Sequence, residues 1–208
     1  MLNVKKLSVG ALQTNCYIGF DEQSLTAAII DPGDDAEYIH NVIRDFNLKP
    51  HVVVATHVHF DHILAAFEIQ HAYKIPFRLH SKDEFLVKRM KESATYFLKR
   101  EIVEQPPQIQ GLLELKKPVK VGTVELEIIE TPGHTPGSIC LYSKAERILF
   151  SGDTLFADGV GRTDFKYSSS DDLHLSLEKL LVLPSDTIVY AGHGREFSLG
   201  EIRFTQFA

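Results

Sequence analysis

Three histidines and one aspartate lie within six residues of this chain, in the stretch His57-Val58-His59-Phe60-Asp61-His62. The stretch follows directly after an apolar run at residues 52–55. A short run rich in β-branched residues is typical of a strand buried on both faces. Neighbouring imidazoles repel each other when protonated, and a cation that keeps them neutral removes that cost. The stretch therefore predicts a metal site at a strand end, and the fold must bring further ligands to it.

Three later segments offer those ligands. His134 lies between two Pro-Gly pairs, Asp153 follows an apolar run, and His193 stands between two glycines after another apolar run. Each segment places one imidazole or carboxylate where small residues let the backbone bend sharply. We expect these bends to bring one side chain each to a shared centre. The other five of the ten histidines are scattered, and we interpret them as surface or helix-face residues.

Hydrophobic periodicity predicts strands early in both halves and helices between and after them. No linker divides the halves, so we predict one domain over residues 1–208, with sheets covered by helices. Residues 101–118 carry no clear pattern. Strands are expected at 2–9, 16–20, 25–30, 52–55, 77–80, 124–128, 138–142, 147–150 and 187–191, and helices at 36–46, 62–73, 81–100 and 171–182.

Composition restricts the partners of the chain. The formal net charge of −6 argues against nucleic acid, because phosphate binding needs a basic face. No apolar run approaches the ~20 residues that span a bilayer, and no apolar signal stretch follows Met1. We therefore predict a cytoplasmic protein with a small-molecule substrate and no membrane partner, whose oligomeric state the sequence does not specify. Cys16 and Cys140 lack metal-binding spacing and are predicted to be buried, reduced thiols.

The ordered ligands resemble those of the metallo-β-lactamase superfamily: His-x-His-x-Asp-His, then a lone His, an Asp and a final His. The similarity runs over nearly the whole chain. It implies an α+β fold, a four-layer αββα sandwich, with the metal site at one edge of two sheets. Carried over by position, it implies one metal bound by His57, His59 and His134, a second bound by Asp61, His62 and His193, and a bridge between them from Asp153.

The resemblance also implies a chemistry. Two divalent metal ions are expected, with zinc first and iron or manganese as alternatives, since imidazole and carboxylate suit all three. Such a pair lowers the pKa of bound water to about 7 and favours an anionic intermediate over a neutral carbonyl. The expected reaction is attack of a metal-bridging hydroxide on a carbonyl, with Asp61 and Asp153 as the catalytic residues that help hold the nucleophile.

Four segments, at residues 131–138, 151–156, 161–165 and 192–201, are similar to the bacterial glyoxalase II-like subfamily. That similarity implies hydrolysis of thioesters of the hydroxyacylglutathione type. The chain also departs from glyoxalase II. Val58 stands where histidine is frequent, two alanines replace a glycine at residues 65–66, and we expect the C-terminal helical domain that binds glutathione to be missing after Ala208.

Two alternative functions stay open. The Arg-Thr-Asp-Phe sequence at residues 162–165 also occurs in persulfide dioxygenases, which share the fold and use a single iron. A lactonase of the same fold is the other alternative, because an ester carbonyl needs the same chemistry.

Three further residues have two interpretations each. Asp31, in an Asp-Pro-Gly turn, either orients a ligand histidine or only shapes the turn. Tyr96, with Phe97, either lines the substrate groove or packs in the core, and we favour the core for Phe97. Arg162 either grips a substrate carboxylate or pairs with Asp164.

Overall fold

A computed structural model describes residues 1–202, which form two six-stranded sheets and a small two-stranded ribbon. In the first sheet the strand order follows the chain: β1 (Leu2–Val9), β2 (Thr14–Asp21), β3 (Thr26–Ile30), β4 (Lys49–Val54), β5 (Phe77–Leu79) and β6 (Ile109–Leu112). The second sheet has the order β14-β13-β10-β9-β8-β7, from β7 (Val119–Val121), β8 (Val124–Glu130), β9 (Ile139–Ser143), β10 (Ile148–Gly152), β13 (Ile188–Ala191) and β14 (Phe197–Ser198). The ribbon pairs β11 (Leu155–Phe156) with β12 (Gly159–Val160).

Helices cover the outer face of each sheet. Four of them, α1 (Ala36–Asp45), α2 (Ala66–Tyr73), α3 (Glu84–Val87) and α4 (Met90–Leu98), pack on the first sheet. The helix α5 (Ser170–Leu181) packs on the second. A third apolar cluster, with Tyr17 and Ile30 from one sheet and Leu141 and Phe150 from the other, fills the space between the sheets. The layers are therefore helix, sheet, sheet, helix, which confirms the predicted αββα sandwich.

The predicted single helix over residues 81–100 is wrong, because the chain breaks there into a 3-10 turn, α3 and α4. Ser81 does not cap it; the His80 side chain accepts the Lys82 N–H instead, at 3.2 Å. Asp83, the last residue of the 3-10 turn, is fully buried, and its carboxylate accepts a hydrogen bond from Thr135 in the loop after β8. The chain therefore points inward at residue 83. A long-range contact of this kind leaves no periodic signal in the sequence.

Residues 101–118, which carried no prediction, contribute the edge strand β6. The Gln70 side chain on α2 fixes this segment through both of its polar atoms. Its amide donates to the Gln108 carbonyl at 2.7 Å, and its oxygen accepts the Gln108 N–H at 2.9 Å.

Cys16 and Cys140 are buried and unpaired, as predicted. No helix between residues 1 and 202 has the length and apolar character to cross a membrane.

The four ligand-bearing loops leave the two sheets at one edge. The His57–His62 stretch follows β4, His134 lies between β8 and β9, Asp153 follows β10, and His193 follows β13. Backbone bonds join the loops: Ile139 N–H donates to Thr56 O at 2.8 Å, and Gly192 N–H donates to Gly152 O at 2.8 Å. The edge is therefore held by main-chain contacts that do not depend on any ligand side chain.

Candidate metal centre

Three histidines form the first triad: His57, His59 and His134. Each offers one ring nitrogen, and these atoms lie within 4.8 Å of one another. His59 Nδ1 and His134 Nε2 are 2.9 Å apart. His57 and His134 are each 2% exposed, so the triad lies below the surface. Three imidazoles converging on one point are a ligand set that suits zinc or iron.

The second triad consists of Asp61, His62 and His193, whose ligand atoms also lie within 4.8 Å of one another. Asp61 Oδ2 is 3.4 Å from His193 Nε2 and 3.7 Å from His62 Nε2. The His193 side chain is 30% exposed, whereas His62 is fully buried. This triad carries a carboxylate and opens towards solvent on one side.

Asp153 lies between the two triads. Its Oδ1 is 3.4 Å from His62 Nε2, in the second triad. Its Oδ2 is 3.7 Å from His134 Nε2 and 3.9 Å from His57 Nε2, both in the first triad, and 3.7 Å from His193 Nε2. One carboxylate thus faces both groups, and the structure brings together all seven residues that the sequence predicted as ligands.

In four of the five histidines, the ring nitrogen that faces away from the centre is hydrogen bonded. Such outer partners fix the orientation and the tautomer of a metal-binding histidine. The pairs are His57 Nδ1 with Thr56 Oγ1 at 3.2 Å, His59 Nε2 with the Tyr167 hydroxyl at 2.8 Å, His62 Nδ1 with Asp31 Oδ2 at 3.0 Å, and His134 Nδ1 with the Arg162 carbonyl at 2.8 Å.

Asp31 takes both of the roles considered for it. It sits in the turn with a left-handed φ of 52°. Its carboxylate also accepts the Thr56 N–H at 2.7 Å, the Thr56 hydroxyl at 2.6 Å and the His62 Nδ1–H at 3.0 Å. Because Thr56 donates its only hydroxyl proton to Asp31, the bond with His57 must be donated by His57 Nδ1. The Nε2 lone pair of His57 is then left to face the centre.

Three buried atoms at the centre have no hydrogen-bond partner among residues 1–202: His57 Nε2, His62 Nε2 and Asp153 Oδ1. A buried polar atom left unsatisfied costs about 1–3 kcal/mol. Three such atoms directed at one point are explained if cations satisfy them. The donor set, five imidazoles and two carboxylates, fits a pair of divalent metal ions such as zinc, iron or manganese.

Electrostatics differ between the two triads. Burial, reinforced by the neighbouring imidazoles, holds the pKa of His57 well below its usual range. Burial and the neighbouring His134 lower the pKa of His59 to about 3. These rings of the first triad are therefore neutral at physiological pH, which is the protonation state that a metal ligand needs.

In the second triad, charge outweighs burial. Burial alone would lower the pKa of His62. The carboxylates of Asp153 and Asp61 have the larger effect and raise this pKa to well above its usual range. His193 follows the same pattern, with Asp61 and Asp153 raising its pKa against the effect of burial. In turn, the histidines hold the pKa of both carboxyls below the usual range although burial alone would raise it. Without a metal, this triad is a network of ion pairs.

The family model described as Metallo-beta-lactamase superfamily matches residues 9–193. This range covers most of the chain and contains all seven candidate ligands. The chain belongs to this superfamily. It is 36% identical over 195 residues to "Probable metallo-hydrolase YqgX" of Bacillus subtilis, covering 92% of this chain and 90% of that protein. It is 34% identical over 208 residues to "Hydroxyacylglutathione hydrolase GloC" of Haemophilus influenzae, covering 96% of this chain and 94% of that protein. These relatives support the glyoxalase II-like relationship.

Solved structures of the superfamily have the same fold. The BLEG-1 B3 metallo-beta-lactamase superposes with a TM-score of 0.88 at 34% identity, covering 96% of this chain and 95% of that one. TTHA1623 in a di-iron-bound form has a TM-score of 0.85 at 32% identity, covering 95% of this chain and 96% of that one. ETHE1 from Myxococcus xanthus has a TM-score of 0.74 at 26% identity, covering 96% of this chain and 80% of that one.

Two positions next to the ligands have no room for a side chain and must be glycine. A Cβ at Gly192 would overlap Asp153 Oδ1, and a Cβ at Gly33 would overlap the Asp61 carbonyl oxygen. The Gly-His-Gly and Asp-Pro-Gly sequences are therefore more than turn signals. They let the backbone approach the two carboxylate ligands closely.

Three contacts at the site were not found from the sequence. The Tyr167 hydroxyl reaches His59, the Thr14 hydroxyl donates to Asp61 Oδ2 at 3.1 Å, and the buried Asp83 contacts the loops that carry His57 and His134. All three residues are distant from the ligands in the chain. Their roles follow from tertiary contacts alone, so no spacing rule could have identified them.

The residues proposed to shape the pocket lie at its rim. Tyr96 is 66% exposed and lines the cavity above the triads. Core packing for Phe97 is wrong: it is 46% exposed, stacks on Phe60 and lines the same cavity. Arg162 forms a bidentate pair with Asp164, at 2.6 and 2.5 Å, so its guanidinium is already engaged. Its carbonyl is the partner of His134.

Proposed function

We propose that this chain is a dinuclear metal-dependent hydrolase that cleaves thioesters. The observation that carries the proposal is the shared carboxylate: Asp153 faces both triads, so two cations held there would lie side by side. A cavity of about 630 Å³, large enough to hold a small-molecule substrate, is lined by members of both triads and by the shared carboxylate: His59, His134, Asp61, His193 and Asp153.

In this proposal, His57, His59 and His134 hold one metal, Asp61, His62 and His193 hold the other, and Asp153 contacts both. When bound, the two ions would supply hydroxide at neutral pH and positive charge for a developing oxyanion. Zinc is our first expectation, and the similarity to a protein with a di-iron form keeps iron as an alternative. Asp61 and Asp153 would act as catalytic residues by orienting the nucleophile through their carboxylate oxygens.

The carboxyls at the centre favour a substrate with a good leaving group. Both Asp61 and Asp153 have a pKa below the usual range, so they stay ionised and have no proton to donate. The Tyr167 hydroxyl, whose pKa burial raises to about 12, is engaged with His59. A thiolate leaves without needing a proton, unlike an amine or a simple alkoxide. The similarity to a hydroxyacylglutathione hydrolase supports the same choice.

The proposal includes a single domain over residues 1–208. Asp61 and His62 come from a loop of the first sheet, whereas His134, Asp153 and His193 come from loops of the second. Neither half alone carries a complete triad with its shared carboxylate. We expect the halves, expressed separately, to bind neither metal tightly.

The test is hydrolysis of S-lactoylglutathione by metal-reconstituted protein, followed as release of thiol, together with metal analysis of the same sample. Two metals per chain with thiol release support the proposal. Two metals with no thioester cleavage contradict it, and parallel assays of a lactone and a β-lactam then identify which carbonyl is attacked.

A persulfide dioxygenase is the second candidate. Two observations favour it: the sequence at residues 161–165 and the likeness to ETHE1. It predicts one iron per chain, oxygen consumption and formation of sulfite from glutathione persulfide. The ligand-like placement of Asp61 and His193 argues for the hydrolase, because a single-iron enzyme has no use for a second triad.

A further inference from the structure

An aromatic groove lies over the two triads. We define it by Phe60, Tyr96, Phe97, Phe165 and Tyr167, all of which line the cavity that contains His59, His134 and Asp153. Phe97 stacks on Phe60 with ring centroids 5.6 Å apart. A second aromatic wall is formed by Phe165, which stacks on Tyr167 with ring centroids 5.4 Å apart and 13° between the ring planes. Val58, Leu86 and Met90 add further apolar surface.

Two of these rings, Tyr96 and Phe97, are exposed to solvent, at 66% and 46%. Large apolar side chains that remain exposed together on a soluble surface commonly mark a binding site. Tyr96 and Phe97 lie next to each other along the cavity, with ring centroids 5.1 Å apart. Phe85, an exposed ring outside the cavity lining, contacts Tyr167 edge-on at 5.6 Å. A small hydroxyacyl group would leave most of the cavity unfilled. Most of the surface that lines the cavity is apolar, although Arg89, Glu92 and Lys166 also lie along it. Peptide groups are costly to desolvate unpaired, so the apolar part of the cavity suits an apolar group better.

We propose that the aromatic groove is an acyl pocket for thioesters with a large apolar acyl group, such as a branched alkyl or aryl chain. The inference rests on the proposed function and names its substrate class. The carbonyl carbon lies at the triads, the acyl chain lies between the two aromatic walls, and the thiol portion points to solvent. Hydrolysis adds water across the C–S bond and releases the carboxylic acid and the thiol.

Tyr167 connects this pocket to the metal centre. Its ring forms one wall, and its hydroxyl is 2.8 Å from His59 Nε2. The hydroxyl oxygen can accept a hydrogen bond from Nε2–H while Nδ1 faces the centre. Tyr167 is thus a positioning residue for His59 as well as a contact for the acyl chain, and the two roles can be separated by removing the hydroxyl alone.

The test uses glutathione thioesters with acetyl, butyryl, isovaleryl and phenylacetyl groups. We expect kcat/KM to rise by about fourfold per added methylene. Tyr96→Ala should flatten this dependence, whereas Tyr38→Ala, which removes a similarly exposed tyrosine on α1 outside the groove, should not. Tyr167→Phe should lower kcat for every thioester by a similar factor and keep the dependence on acyl size, because the ring remains.

Binding of the product acids by calorimetry gives a readout that needs no turnover: the Kd of the metal-loaded protein should tighten from acetate to phenylacetate. Turnover without any dependence on acyl size, or with a dependence that Tyr96→Ala leaves intact, would overturn the acyl pocket while the thioesterase stands. Failure to cleave any thioester, with binding that still follows apolar size, would overturn the thioesterase and leave the pocket.

A separate observation concerns Asp83, which is fully buried between the two loops of the first triad. Its Oδ2 accepts the Val58 N–H at 3.2 Å and the Thr135 hydroxyl at 2.7 Å, and its Oδ1 accepts the Gly137 N–H at 2.7 Å. Val58 stands between two ligands of the first triad, and Thr135 follows the third. A Cβ at Gly137 would lie only 2.6 Å from Asp83 Cγ, so the contact is close.

The geometry points to Asp83 as a positioning residue for the first triad, just as Asp31 orients His62 in the second. It joins the backbone beside His57 and His59 to the backbone beside His134, and it does so without touching any ligand side chain. Removing its charge should therefore weaken metal binding at the first triad and leave the second unchanged.

The experiment measures zinc affinity by calorimetry in two backgrounds, His193→Ala to isolate the first triad and His59→Ala to isolate the second. Asp83→Asn should weaken binding about 10- to 100-fold in the first background only. Asp31→Asn should weaken it mainly in the second background, with a smaller loss in the first, because Asp31 also bonds Thr56, the partner of His57. The exposed Asp171→Asn is the matched control for loss of one carboxylate. If Asp83→Asn fails to fold, Thr135→Val removes one of its three bonds and should give a smaller loss of the same kind. Equal losses in both backgrounds, or none, would overturn the assignment.

Discussion

The two triads lie a few ångströms apart and share Asp153, yet they differ in charge. In the first triad, His57 and His59 are neutral, and the contacts behind its rings are uncharged: a threonine hydroxyl, a tyrosine hydroxyl and a backbone carbonyl. In the second, Asp61 is a ligand itself, and the carboxylate of Asp31 lies behind His62. The first triad is ready to accept a cation, whereas the second already contains ion pairs that a cation must replace.

This difference suggests a division of roles. The neutral rings of His57 and His59 bind a divalent metal without releasing protons, and the first triad lies below the surface, where water is excluded. The second triad has a partly exposed histidine and a carboxylate, which supply an open side and negative charge. The first triad is suited to hold a metal permanently, and the second to complete the centre when its histidines lose their protons. Four predictions test that contrast, from the largest expected effect to the smallest.

Asp153→Asn should have the largest effect, because this carboxylate faces both triads. We expect kcat/KM for the best thioester to fall by about a thousandfold, with weaker binding of both metals. Steady-state kinetics and metal analysis measure the two effects. A variant that kept both metals and at least a tenth of wild-type activity would show that Asp153 is not shared.

Asp61→Asn should affect the second triad alone. We expect turnover to fall by about a hundredfold, with one metal retained per chain and an unchanged fold. Circular dichroism and thermal unfolding control for the fold. Near-full activity with a single metal would contradict the two-metal mechanism and would favour a mononuclear enzyme.

Metal binding at the second triad should depend on pH. Asp61 and Asp153 raise the pKa of His62 and that of His193, so both rings keep their protons to a higher pH than an ordinary histidine. Metal must displace these protons, and affinity should therefore fall as the pH decreases, by about tenfold per unit for each proton released. At the first triad, affinity should depend less on pH, because the pKa of His57 and that of His59 lie well below the usual range. Calorimetry in buffers of different ionisation enthalpy counts the protons, and equal release from the two triads would contradict the contrast.

Thr14→Val should give the smallest effect. It removes the hydroxyl that donates to Asp61 Oδ2 at 3.1 Å and keeps the shape of the side chain. We expect a loss of severalfold in affinity at the second triad, in line with the net value of about 1 kcal/mol for one hydrogen bond. Ser8→Ala, which removes an exposed hydroxyl on β1, is the control.

The sequence was informative where chemistry is concentrated in short motifs. The fold and the convergence of seven ligand residues followed from His57, Asp153 and their counterparts, because strand ends and bends set their positions. It failed where contacts are long-range. Residues 81–100 form a 3-10 turn and two helices where periodicity predicts one helix, and Asp83 in that turn contacts the distant Thr135. Tyr167 reaches His59 across more than a hundred residues of chain. Such contacts depend on the packing of two elements, and neither element records them alone.

The most direct test of the central claim, that the two triads form one hydrolytic centre, is a zinc titration of metal-free protein with thioester turnover measured at each step. We expect the first equivalent to bind with little activity and turnover to rise with the second equivalent. Full turnover at one equivalent, unchanged by the second, would contradict it.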